Sequence, residues 1–383
     1  MAAREPPALP DEVVEEILLR VPPDDPARLM RAALACKPWC RLISGHGFRR
    51  RFRERHRTPP VLGILRTFFS DREGGAVTRF VPTCSLRPRR TDRRGWRTMD
   101  SRHGRVLLCR DPRSSKDLRI LSVWNPIEDK VRELPAVLWD PFMSSGGNAL
   151  VLCAGAAAAN DCDHLDCSGE PFLVAFVIID NGKIFVYIYS SEADAWSEQA
   201  SAPNLGFHFR RQRGVLAGNA LYFVFDGEDT TRFLEYDLGT RELTLVHPPP
   251  MSNNHIVVTS MSGGLRAITI EGSKLYMWLR EAGTGEDVGW AQREFIEIYT
   301  VIPASAILFS YDVVGFADGC GLIYMATDHG SFTADLKSGQ VRKLGGVNHG
   351  GDNVVPYVSF YTPAPGYGTS SNRKKLKLLM KVL

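Results

Sequence analysis

The stretch NGKIFVYIYSSEADAWSEQA (residues 181–200) contains the pattern that decides the fold. An Asn-Gly turn leads into the apolar run IFVYIY, a polar turn follows, and a second short strand pattern begins near Trp196. Such turns between runs rich in aromatic and β-branched residues are typical of antiparallel hairpins. Because IFVYIY is apolar nearly throughout, rather than at alternate positions, it indicates a sheet packed on both faces.

The same pattern recurs along the chain. A turn with glycine precedes a strand at HGRVLL (103–108), NGKIFVYI (181–188), GNALYFVF (218–225), GSKLYMWL (272–279) and GCGLIYMA (319–326). A strand, polar turn and second strand follow at residues 123–135, 188–200, 235–246 and 332–344, with a weaker member, REFIEIYTVIP, at 293–303. Five repeated units are therefore visible, and internal repeats of this length indicate a propeller or a solenoid.

The spacing of the repeats favours a β-propeller. Glycines 182, 218, 272 and 319 are separated by 36, 54 and 47 residues, which suits blades of about four short strands. An insertion at 154–171 explains the larger gap before residue 182. The segments VLGILRTFF (61–69) and VVPYVSFYTP (354–363) supply one further blade, and pairing the first strand with the last would close the ring. We therefore expect about six blades of a kelch-like kind, although kelch double glycines do not recur at regular blade positions.

A different periodicity governs residues 9–48, LPDEVVEEILLRVPPDDPARLMRAALACKPWCRLISGHGF. Three short helices are predicted: one capped by Asp11, one beginning at Asp25 and Pro26, and one beginning near Pro38. The first helix has a single predicted apolar stripe made of Val13, Val14, Ile17, Leu18 and Val21. Twenty of the forty side chains are apolar, which is too many for so small a unit to bury alone. The unit needs a cover, either the rest of the chain or another protein.

These residues resemble the F-box, the three-helix module that docks on a Skp-type adaptor of cullin-based ubiquitin ligases. The resemblance rests on Leu9-Pro10, Glu12, Ile17-Leu18, Arg20, Leu29, the Cys36-Lys37-x-Trp39 run, Leu42-Ile43 and Phe48. The continuation RRFRERHRTPPVLGIL (50–65) is similar to the linker of grass F-box proteins. The repeated region resembles the F-box-associated propellers of plants. The expected fold class is thus a small α domain followed by an all-β propeller.

The resemblance implies a substrate-recognition subunit of a Skp–cullin–F-box ligase, with ubiquitin transfer carried out by other subunits. The implied adaptor-binding residues are Leu9, Pro10, Val13, Val14, Ile17, Leu18, Leu29, Cys36, Trp39 and Ile43. Removing Trp39 is expected to cost roughly 2–4 kcal/mol of adaptor affinity. The propeller would bind a protein substrate that the sequence does not identify.

Charge is distributed unevenly along the chain. The net charge is +4, yet residues 49–57 and 87–97 hold six Arg each and residues 373–381 hold five basic groups, which leaves a mildly acidic remainder. Solvated charged faces are the favoured interpretation, and nucleic acid is not an expected partner. We expect an F-box domain and basic linker at 1–57, a propeller at 58–365 and a basic tail at 366–383.

Localisation is predicted from the absence of sequence signals. The start MAAREPPALP lacks a signal-peptide pattern, and no apolar run reaches the length that spans a bilayer. We therefore expect a cytoplasmic or nuclear protein that makes no membrane contact. Its eight cysteines are then expected to be reduced thiols.

Catalytic and metal sites are not predicted, and neither is a cofactor. In CKPWC (36–40) three residues separate the cysteines, whereas two separate those of redox pairs, so small buried or half-buried side chains beside Trp39 are favoured. CDHLDC (162–167) lacks the second ligand pair of a zinc site. Two propeller loops are candidate substrate contacts, NHGGDN (348–353) and PNLGFHFRRQR (203–213), the second through Phe207, Phe209, Arg210 and Arg211.

Two other functions remain open at this point. The first is a propeller that binds a small molecule or glycan, with the helical unit merely packed on it, which predicts that the propeller covers the apolar helices. The second is an enzyme that uses the cysteine and histidine cluster of CDHLDC. Exposure of the helical surface distinguishes the first of these from a receptor.

Overall fold

The structure is a computed structural model of the chain. It describes residues 9–70, 75–85, 88–111, 120–137, 144–156, 167, 171–210, 212–250, 256–261, 263–281, 289–303, 311–317, 320–336, 338–344 and 353–363. The NHGGDN loop, apart from the backbone of its last residue, and the basic tail lie outside these residues. Within the described ranges, no helix has the length and apolar character required to cross a membrane.

Four helices precede the sheets, one more than the sequence predicted. They are α1 (Asp11–Leu19), α2 (Pro26–Ala35), α3 (Lys37–Ser44) and α4 (His46–His56), together called the helical unit. The predicted breaks at the prolines are confirmed. The two predicted side-chain caps are wrong: Pro10 occupies the N-cap of α1, and Asp25 makes no capping bond at α2. Asp25 instead accepts a hydrogen bond from Ser85 Oγ of the propeller at 3.2 Å.

The described residues that follow α4 form six sheets of four or five strands, the blades of a propeller. From the central channel outward, blade one is β25 (Asn353–Val358), β1 (Val61–Ser70), β2 (Gly75–Pro82) and β3 (Asp92–Arg94). Blade two is β4 (Trp96–Arg102), β5 (Arg105–Arg110), β6 (Leu121–Asn125) and β7 (Lys130–Glu133). Blade three is β8 (Ser144–Cys153), β9 (Phe172–Asp180), β10 (Lys183–Ser190) and β11 (Ala195–Pro203).

The remaining blades follow the same antiparallel plan. Blade four is β12 (His208–Phe209) and β13 (Val215–Ala217), which share one edge of β14 (Ala220–Asp226), then β15 (Thr231–Asp237) and β16 (Leu243–Val246). Blade five is β17 (Ile256–Met261), β18 (Gly264–Glu271), β19 (Lys274–Arg280) and β20 (Trp290–Glu297). Blade six is β21 (Tyr311–Ala317), β22 (Leu322–Thr327), β23 (Gly330–Asp335) and β24 (Val341–Lys343).

The ring closes as predicted, through the first and last strands. β25 pairs antiparallel with β1, with Leu65 opposite Val355 and Arg66 opposite Val354. The last strand of the chain is therefore the innermost strand of the first blade, and this pairing removes the free edges that an open array would leave.

Two details of the predicted repeat are wrong. The glycine turns at 104 and 218 join the first and second strands of a blade, whereas those at 182 and 272 join the second and third. The glycine motif marks tight turns in which one residue needs a positive φ. Both kinds of turn, between strands one and two and between strands two and three, have such a glycine. REFIEIYTVIP is the end of β20 followed by a short helix, α5 (Ile298–Val301), and it lacks the expected second strand.

The propeller has two faces that differ in which loops they carry. In an antiparallel blade, the links between strands one and two and between strands three and four lie on one face. The links between strands two and three, and those between blades, lie on the other. The helical unit leads into the start of β1 and contacts Ser85, in a link between strands three and four. We call its side the helix face and the opposite side the far face.

The central channel is crossed by a charged side chain. Arg213 follows a break between β12 and β13 in the inner strand of blade four. Its Nη2 donates to the Phe316 carbonyl of blade six at 2.6 Å, and its Nη1 lies 3.7 Å from Asp100 Oδ1 of blade two. Asp100 Oδ2 also accepts from Val151 N at 3.1 Å and Arg102 Nε at 3.2 Å. One arginine thus ties three blades across the axis.

Candidate functional site

Helix α1 presents apolar side chains to solvent along one side. Leu9, Val13 and Ile17 are 57%, 44% and 54% exposed. Val13 and Ile17 are four residues apart, so on a helix they follow one another along the surface, and Leu9 lies two residues before the helix begins. The Pro10 carbonyl accepts from the backbone N–H groups of Val13 and Val14, both at 3.1 Å, and fixes the start of this line. We call Leu9, Val13 and Ile17 the outer ridge.

The opposite side of α1 is buried. Val14, Leu18 and Leu19 belong to one hydrophobic cluster that also contains residues of α2, α3 and α4. The predicted single stripe therefore divides into two: Val14 and Leu18 point inward, while Val13 and Ile17 point outward. Successive helical residues are about 100° apart, so a stripe two residues wide is broad enough to serve two surfaces.

The ten predicted adaptor-binding residues occupy three environments. Four are exposed, namely Leu9, Pro10, Val13 and Ile17, two are half-buried, namely Cys36 and Trp39, and four are buried, namely Val14, Leu18, Leu29 and Ile43. The buried four support the helices from within. Their participation in adaptor binding stays a prediction. The CKPWC segment has the small-side-chain role that was favoured, because Cys40 is buried and Trp39 packs against the same cluster.

Helix α4, which the sequence analysis treated as part of a linker, packs the helical unit against the propeller. Phe48 and Phe52 stack with ring centroids 5.9 Å apart, and Phe52 meets the edge of Phe360 at 6.3 Å. Blades one and two contribute Leu62, Leu65, Phe80, Val106, Leu108, Trp124, Ile127, Val355 and Tyr357 to this cluster. The inner half of the helical unit is therefore covered by the ring, and the outer ridge is not.

Polar contacts also hold α4 against the propeller and against α1. Arg49 Nε donates to Thr362 Oγ1 at 3.2 Å, and His56 Nε2 donates to the Leu19 carbonyl at the end of α1 at 3.0 Å. Arg51 forms an ion pair with Glu15, and Arg55 Nη1 lies 3.6 Å from Glu16 Oε1. Arg51 and Arg55 thus link α4 to α1, yet their side chains remain 57% and 46% exposed. The segment is therefore also a solvated charged face, as its composition favoured.

The propeller loop predicted to contact a substrate is mostly occupied by internal contacts. Phe207 stacks on Phe225 with centroids 6.3 Å apart, and Phe209 meets the edge of the same ring at 4.7 Å. Arg210 forms a two-pronged pair with Asp226, at 2.8 and 2.6 Å. Arg211 lies outside the described residues. Leu205, which the sequence analysis passed over, is 73% exposed in the link between β11 and β12.

A tyrosine and an ion pair tie blade two to blade three near the helix face. Tyr189 Oη donates to Asp194 Oδ1 at 2.6 Å, and Arg132 Nη2 donates to the same oxygen at 3.0 Å. Burial, helped by the bond to Asp194, raises the pKa of Tyr189 to about 12. The bond from Tyr189, together with Arg132, lowers the pKa of Asp194. The pKa shifts are therefore explained by blade packing.

No metal cluster is found in the described part of the chain, where His, Cys, Asp and Glu do not gather in threes. In CDHLDC, residues 162–166 lie outside the described residues and Cys167 is buried. A cavity of about 60 Å³ lies at the seam between α4 and blades one and two, lined in part by Arg49, Glu128 and Tyr357. That volume is well below the roughly 300–1,000 Å³ of small-molecule sites.

Comparison with known proteins identifies the helical unit. Residues 7–51 match the F-box domain, so the chain carries an F-box followed by a six-bladed β-propeller. F-box domains bind Skp-type adaptors within cullin complexes. Curated proteins gave no significant match.

Solved structures with related shapes are remote. TolB from Acinetobacter baumannii has a TM-score of 0.38 and 10% identity, over 79% of this chain and 69% of that one. Oligopeptidase B from Trypanosoma brucei has a TM-score of 0.35 and 8% identity, over 73% of this chain and 38% of that one. At these values neither similarity carries an argument about function.

Proposed function

We propose that the chain is the substrate-recognition subunit of a Skp–cullin–F-box ubiquitin ligase, in which the F-box docks the adaptor and the propeller holds a target protein. Ubiquitin transfer then belongs to other subunits, and the chain works in the cytoplasm or nucleus. We also propose that its propeller is of the F-box-associated, kelch-like kind found in plants, particularly grasses.

The outer ridge is the observation that carries this proposal. The ring already covers the inner side of the helices, so burial on the propeller satisfies only half of the apolar surface noted in the sequence. Leu9, Val13 and Ile17 remain in water although they lie within the F-box match. A line of exposed aliphatic side chains on a helix is the kind of surface that a partner groove accepts.

A matched pair of valine substitutions tests this assignment. Val13 on the outer ridge is 44% exposed, and Val131 on β7 is 45% exposed. Val13→Glu, measured with the purified full-length chain and a Skp-type adaptor by biolayer interferometry, should weaken binding by about 30- to 100-fold, because a charge is buried in the interface. Val131→Glu should leave the affinity within about twofold of wild type.

Trp39→Ala provides a second reading of the same interface, with an expected loss of roughly 2–4 kcal/mol in adaptor affinity. Its thermal unfolding must be followed in parallel, because Trp39 also packs against the helical cluster. If Val13→Glu and Trp39→Ala both keep wild-type affinity, the receptor assignment is wrong.

The alternative, a propeller that binds a small molecule or glycan, has two observations in its favour. The ring covers the inner side of the helices, as this alternative predicts in part. An open trough of about 430 Å³ lies between β11 and β16, lined by residues 199–202 and 241–244. Its volume falls in the range of small-ligand sites. Glycan-array binding by the wild-type chain that is lost in Arg241→Glu, together with absent adaptor binding, would favour this alternative.

A further inference from the structure

Large exposed apolar side chains are concentrated at two opposite ends of the described structure. Outside α1 they are Phe69, Val131, Leu205, Phe295 and Tyr299. Apart from Val131, each lies at or near the far-face end of a strand, or in a link between blades on that face. The outer ridge and the far face are thus separate apolar surfaces, and an adaptor on the first leaves the second open.

Leu205 is the most exposed of these side chains, and its turn is held rigidly. The Asn204 side chain accepts a hydrogen bond from Phe207 N at 3.1 Å and donates to the Phe207 carbonyl at 3.0 Å. Asn204 N donates to the Gly182 carbonyl of the neighbouring turn at 2.8 Å. Gly206 adopts a φ of 86°, which permits the tight reversal. A fixed, solvent-exposed leucine loses little conformational entropy when it binds a partner.

Two phenylalanines that follow this turn anchor it to the propeller. Phe207 and Phe209 pack on Phe225, and Phe209 also meets the edge of Phe223 at 6.1 Å. The aromatic residues of the loop therefore fix the position of Leu205 and are themselves half-buried. This arrangement resembles a binding hot spot, in which a packed base supports one protruding anchor.

Two acidic side chains lie in the turn next to this loop. The turn at 227–230 lies against Phe207, since a Cβ at Gly227 would come within 3.1 Å of that ring. This turn exposes Glu228 and Asp229. Arg210, at the end of the loop, is neutralised by Asp226, and Lys183 lies on the other side, opposite Pro203. The side of the loop that faces the 227–230 turn therefore has a negative field that favours a positively charged group of a partner.

We propose that Leu205 and the turn at 227–230 form the target-docking surface of the far face, and that it binds a protein segment in which an apolar side chain adjoins Lys or Arg. This inference rests on the proposed receptor function for its biological role. The segment places its apolar side chain against Leu205, and its cation lies near Glu228 and Asp229.

A phage-displayed random peptide library, selected on the immobilised full-length chain bound to its adaptor, tests this chemistry. Selected peptides should combine an apolar residue with neighbouring Lys or Arg. Leu205→Glu should weaken the best synthetic peptide by at least about tenfold. The double variant Glu228→Lys, Asp229→Lys should select acidic peptides in place of basic ones. Val131→Glu, which places the same charge at an exposed aliphatic position elsewhere on the propeller, should leave peptide affinity unchanged.

Adaptor affinity, measured on the same variants, separates this proposal from the receptor assignment. Leu205→Glu should bind adaptor like wild type, because it lies on the opposite face from the F-box. If the wild-type chain fails to bind adaptor, the receptor assignment is wrong. The peptide selection, repeated on the chain without adaptor, then still tests whether Leu205 and the 227–230 turn form a docking surface. Selection of no peptides, of peptides without basic residues, or of peptides insensitive to Leu205→Glu overturns the docking surface.

Discussion

Val13 and Val14 are neighbouring valines in one helix, yet one lies in water and the other lies inside the protein. The difference continues through the next turn, where Ile17 is exposed and Leu18 is buried. Side-chain chemistry is nearly the same on the two sides. Their surroundings differ because α4 and blades one and two cover one side and leave the other bare.

This comparison shows that apolar content alone does not say what covers a surface. The inner side contributes to folding, and the outer ridge is available for binding. Arginine–aspartate ion pairs show the same contrast between a buried and an exposed position. Arg213 and Asp100 lie in the channel, while Arg132 and Asp194 lie near the surface. Each contrast can be tested by making the same kind of substitution at the buried and at the exposed position.

The largest expected effect concerns the channel. Arg213→Ala leaves Asp100 buried without its cross-channel partner, and breaking a buried pair in this way costs about 3–5 kcal/mol of unfolding free energy. Arg132→Ala, at the exposed pair, should cost about 0–1 kcal/mol. Urea unfolding of both variants checks the contrast. Equal losses in the two variants would show that the channel pair has no special role in joining the blades.

The next prediction compares Leu18 and Ile17 in two assays, unfolding and adaptor binding, and the more damaging substitution should differ between them. Leu18→Ala should lower the unfolding free energy by about 2–5 kcal/mol. Ile17→Ala should change stability by no more than about 0.5 kcal/mol. In adaptor binding the order of the two variants should reverse, and Ile17→Ala should bind adaptor more weakly than Leu18→Ala. The binding assay must be run well below the melting temperature of Leu18→Ala, so that this variant is folded. A parallel loss in both assays for both variants would remove the distinction between the inner side and the outer ridge.

The smallest effect depends on pH. The folded-state pKa of Tyr189, about 12, lies above its ordinary value of 10. The neutral phenol is therefore favoured by folding, and its stabilisation is complete below pH 10 and is lost as pH rises from 10 towards 12. Tyr189→Phe should flatten this part of the curve of stability against pH. Tyr276→Phe, at a half-buried tyrosine of blade five, is the control, and an unchanged curve in Tyr189→Phe would contradict the assignment.

Much of the fold was predictable because its signals are local. Glycine and asparagine turns mark strand ends, prolines mark helix ends, and apolar runs at both ends of the repeat region predicted closure of the ring. The sequence did not reveal α4, because charged residues surround its two core side chains. Phe48 and Phe52 are four residues apart, and that spacing was the available signal.

The candidate sites were harder to predict, since they depend on what lies opposite each side chain. The stripe on α1 gives no sign that the ring covers half of it. Phe207 and Phe209 were expected to be exposed because they lie in a polar stretch, but residues 208–209 form a strand against β14 that turns them inward. Leu205 was passed over because a single leucine in a loop has no periodic partner.

Ring closure through β25 also has a consequence for how the protein is made. Tyr357 Oη of this strand donates to the Gly104 carbonyl at 3.1 Å, and Phe360 just beyond it packs against Phe52 of the F-box. The ribosome completes α4 long before it reaches residue 353, an interval of roughly 15–60 s at usual rates of synthesis. During that time the packing beneath the helices lacks Val355, Tyr357 and Phe360, and blade one lacks its inner strand. A chain that stops short of its final strand would therefore hold its F-box on an incomplete support and invite degradation before it could compete for the adaptor.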